Sequence, residues 1–500
     1  MHLLLEKANN SAQWFQDKAL RALKDLGHEH QINLIKSFLS IATDTKVNEG
    51  DRVEAAQALV SLGEACKEQA LQACLSIATD TKVAGYFRLE AAKAFVSLGE
   101  TYKEQASQIF LSIATDTKVE GDHRVKAAKA FVSIGEDYKE QASQIFLSIA
   151  TDIKVKGGDR VEAAQALVSL GNAYKEQASR AYLSIATDTK VAGYYRVEAA
   201  KVLVSLRDDY KEQVIQIFLS IATDKKVEGR HRTEAAKAFV SLGEAYKEQA
   251  SQIFLSIATD KKVEGDDRVK AAQALASLGE TYKEQASQIF LSIATDTKVK
   301  GDHRVKAAQA LASLGEAYKE QASRACLSIA TDKKVEGGDR VEAAKAFVSL
   351  GEAYKEQASQ AFLPIAIDRT VRGDYRLQAA GSLVSVARSE KAKKQASQAC
   401  LSIATDTNGY KANGSDRLEA AQVLAFLGEP YKEQTSQIFL SIAIDTKVYV
   451  GWRLKAAHAL VSFGESYKKK ASQAYRSIAK VDEQYRGIAA RALASLGESV

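Results

Sequence analysis

The sequence predicts an all-α fold: a right-handed αα-superhelix, that is, an α-solenoid of about fourteen 36-residue helix-turn-helix repeats. Three observations carry this prediction. A segment reading Ser-Leu-Gly-Glu, or a close variant, recurs at Ser61, Ser97, Ser133 and onward to Ser385 in steps of 36 residues. Each step holds two stretches with helical spacing of apolar residues, separated by joints with Gly or Asp. Leu, Ala, Val and Ile dominate, charged residues are 26% and there are only 2 Pro, a balance that suits a long helical protein with a sizeable core.

The register reaches back to Asp25 and forward through Phe426, Ser462 and Ser495. Two small insertions, near 390–394 and 408–415, and a shortened step near 481–485 interrupt it. The expected organisation is a divergent N-terminal repeat or cap over 1–51, a repeat array over 52–485 and an incomplete C-terminal repeat over 486–500. In the unit opening at Arg88 the first helix reads RLEAAKAFVSLGE and the second YKEQASQIFLSIATD, with TKVEGDH as the joint to the next unit. Gly99 is expected at the C-cap of the first helix, and the residue after Gly121 at the N-cap of the next. In the helix opening at Arg52 the polar side chains Glu54, Gln57 and Ser61 share one strip. The remaining small and apolar surface needs cover on more than one side, which stacked neighbours supply and a lone hairpin does not. The second helix is expected to bury Tyr102, Ala106, Ile109, Phe110 and Ile113.

Composition and motifs narrow the function. Lys plus Arg at 69 against Asp plus Glu at 63 leave a net +6 spread along the chain, unlike the clustered basic footprint of a nucleic-acid binder. The recurring joint lysines Lys82, Lys118, Lys154 and Lys190 each have acids nearby, so nucleic acid is a disfavoured partner. The N-terminal MHLLLEKANNSAQWF lacks the apolar core of a secretory signal, and no stretch is apolar over the roughly 18 residues of a membrane span. Cys66, Cys74, Cys326 and Cys400 stand where sister repeats carry aromatics; they read as core fillers in a reduced, cytoplasmic setting. P-loop, GxGxxG, GxSxG, HExxH and paired CxxC motifs are absent, so neither an enzyme nor a cofactor is expected. His123, His231 and His303 precede the Arg that opens a helix, where other units carry Asp51, Asp159, Asp267 and Asp339. Sites a whole repeat apart do not make a metal centre.

The pattern R-V-x-A-A-x-A-L-x-x-L-G, followed by a second helix and an Asp-containing joint, resembles HEAT-like repeats of the short bacterial type over almost the entire chain. The unit here is several residues longer than the shortest such form. The resemblance implies a scaffold or recognition protein with second helices lining a concave face, and a ladder joining Asp80 to Arg88, Asp116 to Arg124 and Asp152 to Arg160. Phe95, Leu98, Gly99 and Tyr102 also resemble the first helix of a tetratricopeptide repeat; the second helix departs from that family at Leu111, and no Pro closes the unit. Similar 36-residue arrays resemble the sensing ends of bacterial multidomain NTPases, whose switch domain has no counterpart in this sequence.

Two surfaces are candidates for binding a protein or peptide. Leu111 falls in the polar strip of Glu104, Gln108 and Thr115, against the binary pattern. Leu39, Leu75, Leu147, Leu183, Leu219, Leu255, Leu291, Leu327 and Leu363 repeat it, until Arg476 takes the place. Such a line is suited to an extended peptide or amphipathic helix, whereas tight stacking of neighbouring units would cover it. The second candidate is the joint before each first helix, where the copies diverge most: Gly50-Asp51, Tyr86-Phe87, Asp122-His123, Tyr194-Tyr195, Arg230-His231, Asp374-Tyr375 and Gly451-Trp452. Aromatics on such a rim are contact anchors, or else drift at a tolerant surface.

Overall fold

The computed structural model describes residues 28–387, 389–406, 413–481 and 483–498. The N-terminal segment, Asp25, His2, much of the expected cap and part of the 408–415 insertion lie outside the described residues. Every regular element among the described residues is an α-helix or a short 3-10 turn. The chain divides into two compact units, Met1–Glu244 and Ala245–Val500.

In the first unit, second helices α1 (His28–Thr43), α3 (Lys67–Ala78), α5 (Lys103–Thr115), α7 (Lys139–Thr151), α9 (Lys175–Thr187) and α11 (Lys211–Thr223) alternate with first helices. These are α2 (Glu49–Ser61), α4 (Gly85–Val96), α6 (Gly121–Ile134), α8 (Gly157–Ser169), α10 (Gly193–Leu206) and α12 (Gly229–Ser241). The second unit continues the alternation with second helices α13 (Lys247–Thr259), α15 (Glu280–Thr295), α17 (Lys319–Thr331), α19 (Lys355–Ile367), α21 (Glu390–Ala404), α23 (Lys432–Ile444) and α25 (Lys468–Val481). Its first helices are α14 (Gly265–Ala276), α16 (Gly301–Ser313), α18 (Gly337–Leu350), α20 (Gly373–Val386), α22 (Gly414–Ala425), α24 (Val450–Ser462) and α26 (Glu483–Ser495).

The joints depart from expectation in detail. Helix α4 ends at Val96 with Ser97 as its cap, and Gly99 lies beyond it in the hairpin turn. Its φ of 137° is a conformation that side chains disfavour, which is why glycine recurs there. Tyr102 belongs to the 3-10 turn Glu100–Tyr102 and is half-buried, not part of the second-helix core; its ring meets Phe95 edge-on at 5.6 Å. Before α6 the cap is Glu120, whose side chain makes no capping bond, and Asp122 sits inside the first turn. Asp116 shapes that joint instead: its carboxylate accepts from the Lys118 amide at 3.0 Å, and its carbonyl from the Val119 amide at 3.1 Å. Gly121 is glycine because a Cβ there would stand 2.6 Å from Val155 of the following joint. Side chains cap α2, α21 and α22, through Asn48, Ser389 and Asn413.

The core is built between repeats. Ala91, Ala92 and Phe95 of α4 and Ala106, Ile113 and Ala114 of α5 are fully buried, with Ile109 and Phe110 nearly so. The sister residues Phe146, Phe218, Phe254 and Phe290 are buried as well. Consecutive second helices run close together where the later one carries Ala73, Ala181, Ala325, Ala361, Ala399 or Ala474, and stand apart where it carries Ile109, Ile145, Ile217, Ile289 or Ile438. A β-branched side chain facing the preceding helix holds it off; alanine lets the backbones approach.

A buried arginine crosses each such step. Arg88 donates through Nε to the Ala78 carbonyl at the end of α3 (3.2 Å) and through its fork to Asp116 at the end of α5 (3.2 Å). The same bridge joins Arg160 to Ala150 and Asp188 (2.8 and 2.6 Å), and Arg304 to Ala294 and Asp332 (2.9 and 2.9 Å). The expected ladder therefore exists in a different register. Asp116 pairs with Arg88, not Arg124, and Asp80 and Asp152 lie 3.8 Å from Arg52 and Arg124. The Arg stem is directed back to the carbonyl of the preceding helix, so its fork reaches forward, 28 residues along the chain. Asp188 is held below the usual carboxylate range by Arg160 and then by the Lys190 amide, and Asp332 likewise by Arg304 and Lys334.

Truncating Phe110 to Ala should cost about 3–5 kcal/mol, read as a fall in the urea midpoint. Arg160→Ala should cost about 3–5 kcal/mol by leaving Asp188 partly buried and unpaired. Because the folded-state values of Asp188 and Asp332 are depressed, their stabilisation is complete above the ordinary Asp value of about 3.9 and is lost as pH falls through the lower folded values. Urea midpoints at pH 7 and pH 3 should show that loss, and Asp188→Asn should both lower the midpoint at pH 7 and reduce the acid-induced drop.

Candidate functional site

The recurring leucines of the second helices are partly exposed. Leu75, Leu111, Leu147, Leu183, Leu219, Leu291, Leu327 and Leu363 are half-buried, and Leu255 is 37% exposed. Glu104, Gln105, Gln108, Ser112 and Thr115 around Leu111 are exposed, and Arg476 at the end of the row is exposed too. The leucines are thus neither enclosed by the next repeat nor free of it. Leu255 of α13 lines a groove together with Ile289 of α15. That groove, of about 430 Å³, is also lined by Gln285, Gln288 and Ser292 of α15 and by Arg268 of α14. Where alanine replaces the isoleucine the helices close: the Gln177 amide of α9 donates to the Ser143 hydroxyl of α7 at 3.2 Å.

Several rim residues are matched in pairs 37 residues apart. Tyr86 packs against His123 (centroids 5.7 Å apart) and Tyr194 against His231 (6.0 Å). Phe87 and Tyr195 pack edge-on against Tyr86 and Tyr194, both at 5.2 Å. The outer rings stay open, Tyr86 at 47% and Tyr194 at 53% exposed. Gly158 leaves room for Tyr195 and Gly338 for Tyr375, since a Cβ at either glycine would approach the ring or hydroxyl to 3.0 Å. Tyr375 and Trp452 are half-buried, with the Arg372 guanidinium 4.8 Å and the Lys455 ammonium 4.3 Å from their ring centres. Burial first, and the Asp122 charge second, push the Asp159 carboxyl up, another sign of side chains meeting across a step.

A second apolar row escaped the reading of the sequence. Val168, Val348 and Val461, near the ends of first helices, are 38%, 41% and 38% exposed, and Phe426 is more exposed still. Its signal was the Val that recurs just before Ser-Leu-Gly, beside a strip taken as polar. Glu120, Asp122 and His123 bring ligand-type atoms within 4.8 Å of one another, inside one joint, where comparison of successive repeats did not look. Lys126 already approaches that Asp122 carboxylate at 3.3 Å. All four cysteines are buried and unpaired, and burial pushes Cys74, Cys326 and Cys400 up to about 12, so they stay thiols. Among the described residues no helix is long and apolar enough to cross a membrane.

No protein family matches the sequence, and neither does any curated protein. Solved structures similar in fold include Kap121p bound to RanGTP, 12% identical over 97% of this chain, with a TM-score of 0.44. Kap121p bound to Pho4p is 13% identical over 97% of this chain, with a TM-score of 0.41. Importin beta in an ammonium sulfate condition is 11% identical over 99% of this chain and 76% of its own, with a TM-score of 0.40. The chain spans 57% of the length of the Kap121p structures. By its own geometry this chain is an all-α repeat protein, its helical pairs crossed by a buried Asp–Arg ladder.

Proposed function

We propose that the chain is a non-catalytic scaffold or recognition module that binds a protein or peptide along the leucine row of its second helices. One observation carries this reading: an aliphatic side chain is kept half-exposed among polar neighbours at the same position of repeat after repeat. A buried core does not require a leucine there, because the isoleucine, phenylalanine and alanine positions of the same helix already fill it. A row of apolar side chains flanked by glutamines and glutamates suits a segment that presents its own apolar residues in series and keeps polar groups at the edges. The unpaired buried thiols agree with a reducing, cytoplasmic setting.

The exposed Tyr86 and Tyr194, three repeats apart within the first unit, support a second reading in which the rim makes the contact. The two are separated by recovering the partner on the intact protein from its own cell, identifying it by mass spectrometry, repurifying it and measuring Kd for variants. Leu75→Gln, Leu111→Gln and Leu147→Gln together should weaken binding at least tenfold, about 1.4 kcal/mol, with the helical circular-dichroism signal and melting temperature retained. Tyr86→Ser with Tyr194→Ser should leave Kd unchanged. An unaltered Kd in the leucine variant with a weakened rim variant would move the site to the rim.

A further inference from the structure

The groove between α13 and α15 holds an arginine unlike most of its sisters. Arg268 is 5% exposed, and its Nε donates to the Ala258 carbonyl at 2.9 Å as in every complete step. Its fork, however, has no carboxylate within 4 Å among the described residues, whereas Arg304, Arg340 and Arg376 meet Asp332, Asp368 and Asp406 at 2.9, 3.2 and 2.9 Å. Asp296, the expected partner, and Asp260 act on Arg268 only through their fields, and each spends one oxygen on a backbone amide, that of Lys298 and of Lys262, at 2.9 Å. Ile289 holds α15 away from α13, so the fork borders an open groove whose other walls are Leu255, Ser292 and the exposed, unpaired Lys261.

A buried guanidinium without its carboxylate is costly unless an anion reaches it, and its planar fork matches a carboxylate in two-pronged geometry. The aliphatic pair Leu255 and Ile289 beside it asks for an apolar group on the same ligand. Resting on the reading of the second-helix face as the binding surface, we infer that this groove recognises a Glu or Asp side chain of a partner peptide next to an aliphatic residue. The carboxylate goes to Arg268 and Lys261, the aliphatic chain onto Leu255 and Ile289. Charge complementarity favours this occupant, because the charged side chains that line the groove, Lys261 and Arg268, are both cations. The first unit holds a weaker counterpart: Arg196, 2% exposed, bonds the Ala186 carbonyl at 3.1 Å and has no carboxylate within 4 Å, again behind an isoleucine, Ile217, but with Thr189 in place of the lysine.

The test uses the full chain, labelled at Leu and Ile methyl groups, titrated by NMR with Ac-Leu-Glu-NH2 and with the neutral isostere Ac-Leu-Gln-NH2. The Leu255 and Ile289 methyl signals should shift with the first peptide, and the second should bind at least fivefold more weakly. Lys261→Thr, which copies the first-unit groove, should weaken the acidic peptide several-fold. Ile289→Ala, a residue that six sister helices already carry at this position, should close the groove and abolish the shifts, while both variants leave Arg268 in place. Equal binding of the two peptides overturns the carboxylate site and leaves the apolar row intact. Absence of shifts at Leu255 and Ile289 with either peptide overturns the site as well, and the leucine row then stands or falls on its own partner measurement.

Discussion

One buried arginine per repeat sets what the rest of the stack must do. Arg160, 1% exposed, ties a carbonyl in the last turn of one second helix to the aspartate ending the next, across the start of its own first helix. A charge withdrawn from water tolerates few geometries, since every lost contact leaves it uncompensated. Only a repeat in the right register and at the right distance supplies both acceptors. Apolar faces alone would let neighbouring pairs slide along one another; the guanidinium fixes the slip and the order. A lysine of similar length would hold a point charge there without the rigid fork that spans two acceptors.

Spacing is tuned above that constraint by a single side chain. The alanine helices close on their predecessors and the isoleucine helices stand off, in sequences otherwise nearly alike. The ladder follows this only in part, since Arg52 stands 3.8 Å from Asp80 across the Ala73 step and Arg88 meets Asp116 at 3.2 Å across the Ile109 step. The shortest pair, Arg160 with Asp188, crosses a step that carries Ala181, and Arg196 and Arg268, which have no carboxylate within 4 Å among the described residues, cross steps that carry Ile217 and Ile289. Arg417 still meets Asp445 at 2.9 Å across the Ile438 step, so the wedge widens the gap without by itself breaking the pair. Close packing makes such substitutions discrete: a methyl-rich side chain either fits between two helices or displaces one of them.

Much of this was legible in the chain. The 36-residue period, the paired helices and the burial of Phe110 with its sisters follow from spacing and composition, because each depends on contacts within a repeat or on its average surroundings. What failed depended on direction across a step. Asp116 is eight residues from Arg124 and 28 from Arg88, and nearness in sequence favoured the wrong partner. Tyr102 was placed by helical periodicity in a segment that turns out to be a 3-10 turn. The half-cover of Leu111 could not be read from one helical wheel, since it depends on how near the next helix stands. The matched rim, Gly158 with Tyr195 and Tyr86 with His123, was visible only to a comparison made 37 residues apart, one more than the period.

That offset of one residue bears on what the variable joints are for. Drift at a tolerant surface would vary each joint independently, yet the glycines at 158 and 338 stand where the next step brings in the tyrosine ring of Tyr195 or Tyr375. Variation has been kept compatible with packing, so the joints are part of the stack, while outer rings such as Tyr86, Tyr194 and Tyr449 stay open to contact something else. The leucine row shows the opposite arrangement: its residues hardly vary, while the gaps behind them do. Within either unit, a ligand lying along it would meet the same aliphatic side chain at successive repeats and could find its register only from features that differ, such as the open step beside Arg268 in the second unit. Uniform residues then supply contact area, and the irregular steps supply the position.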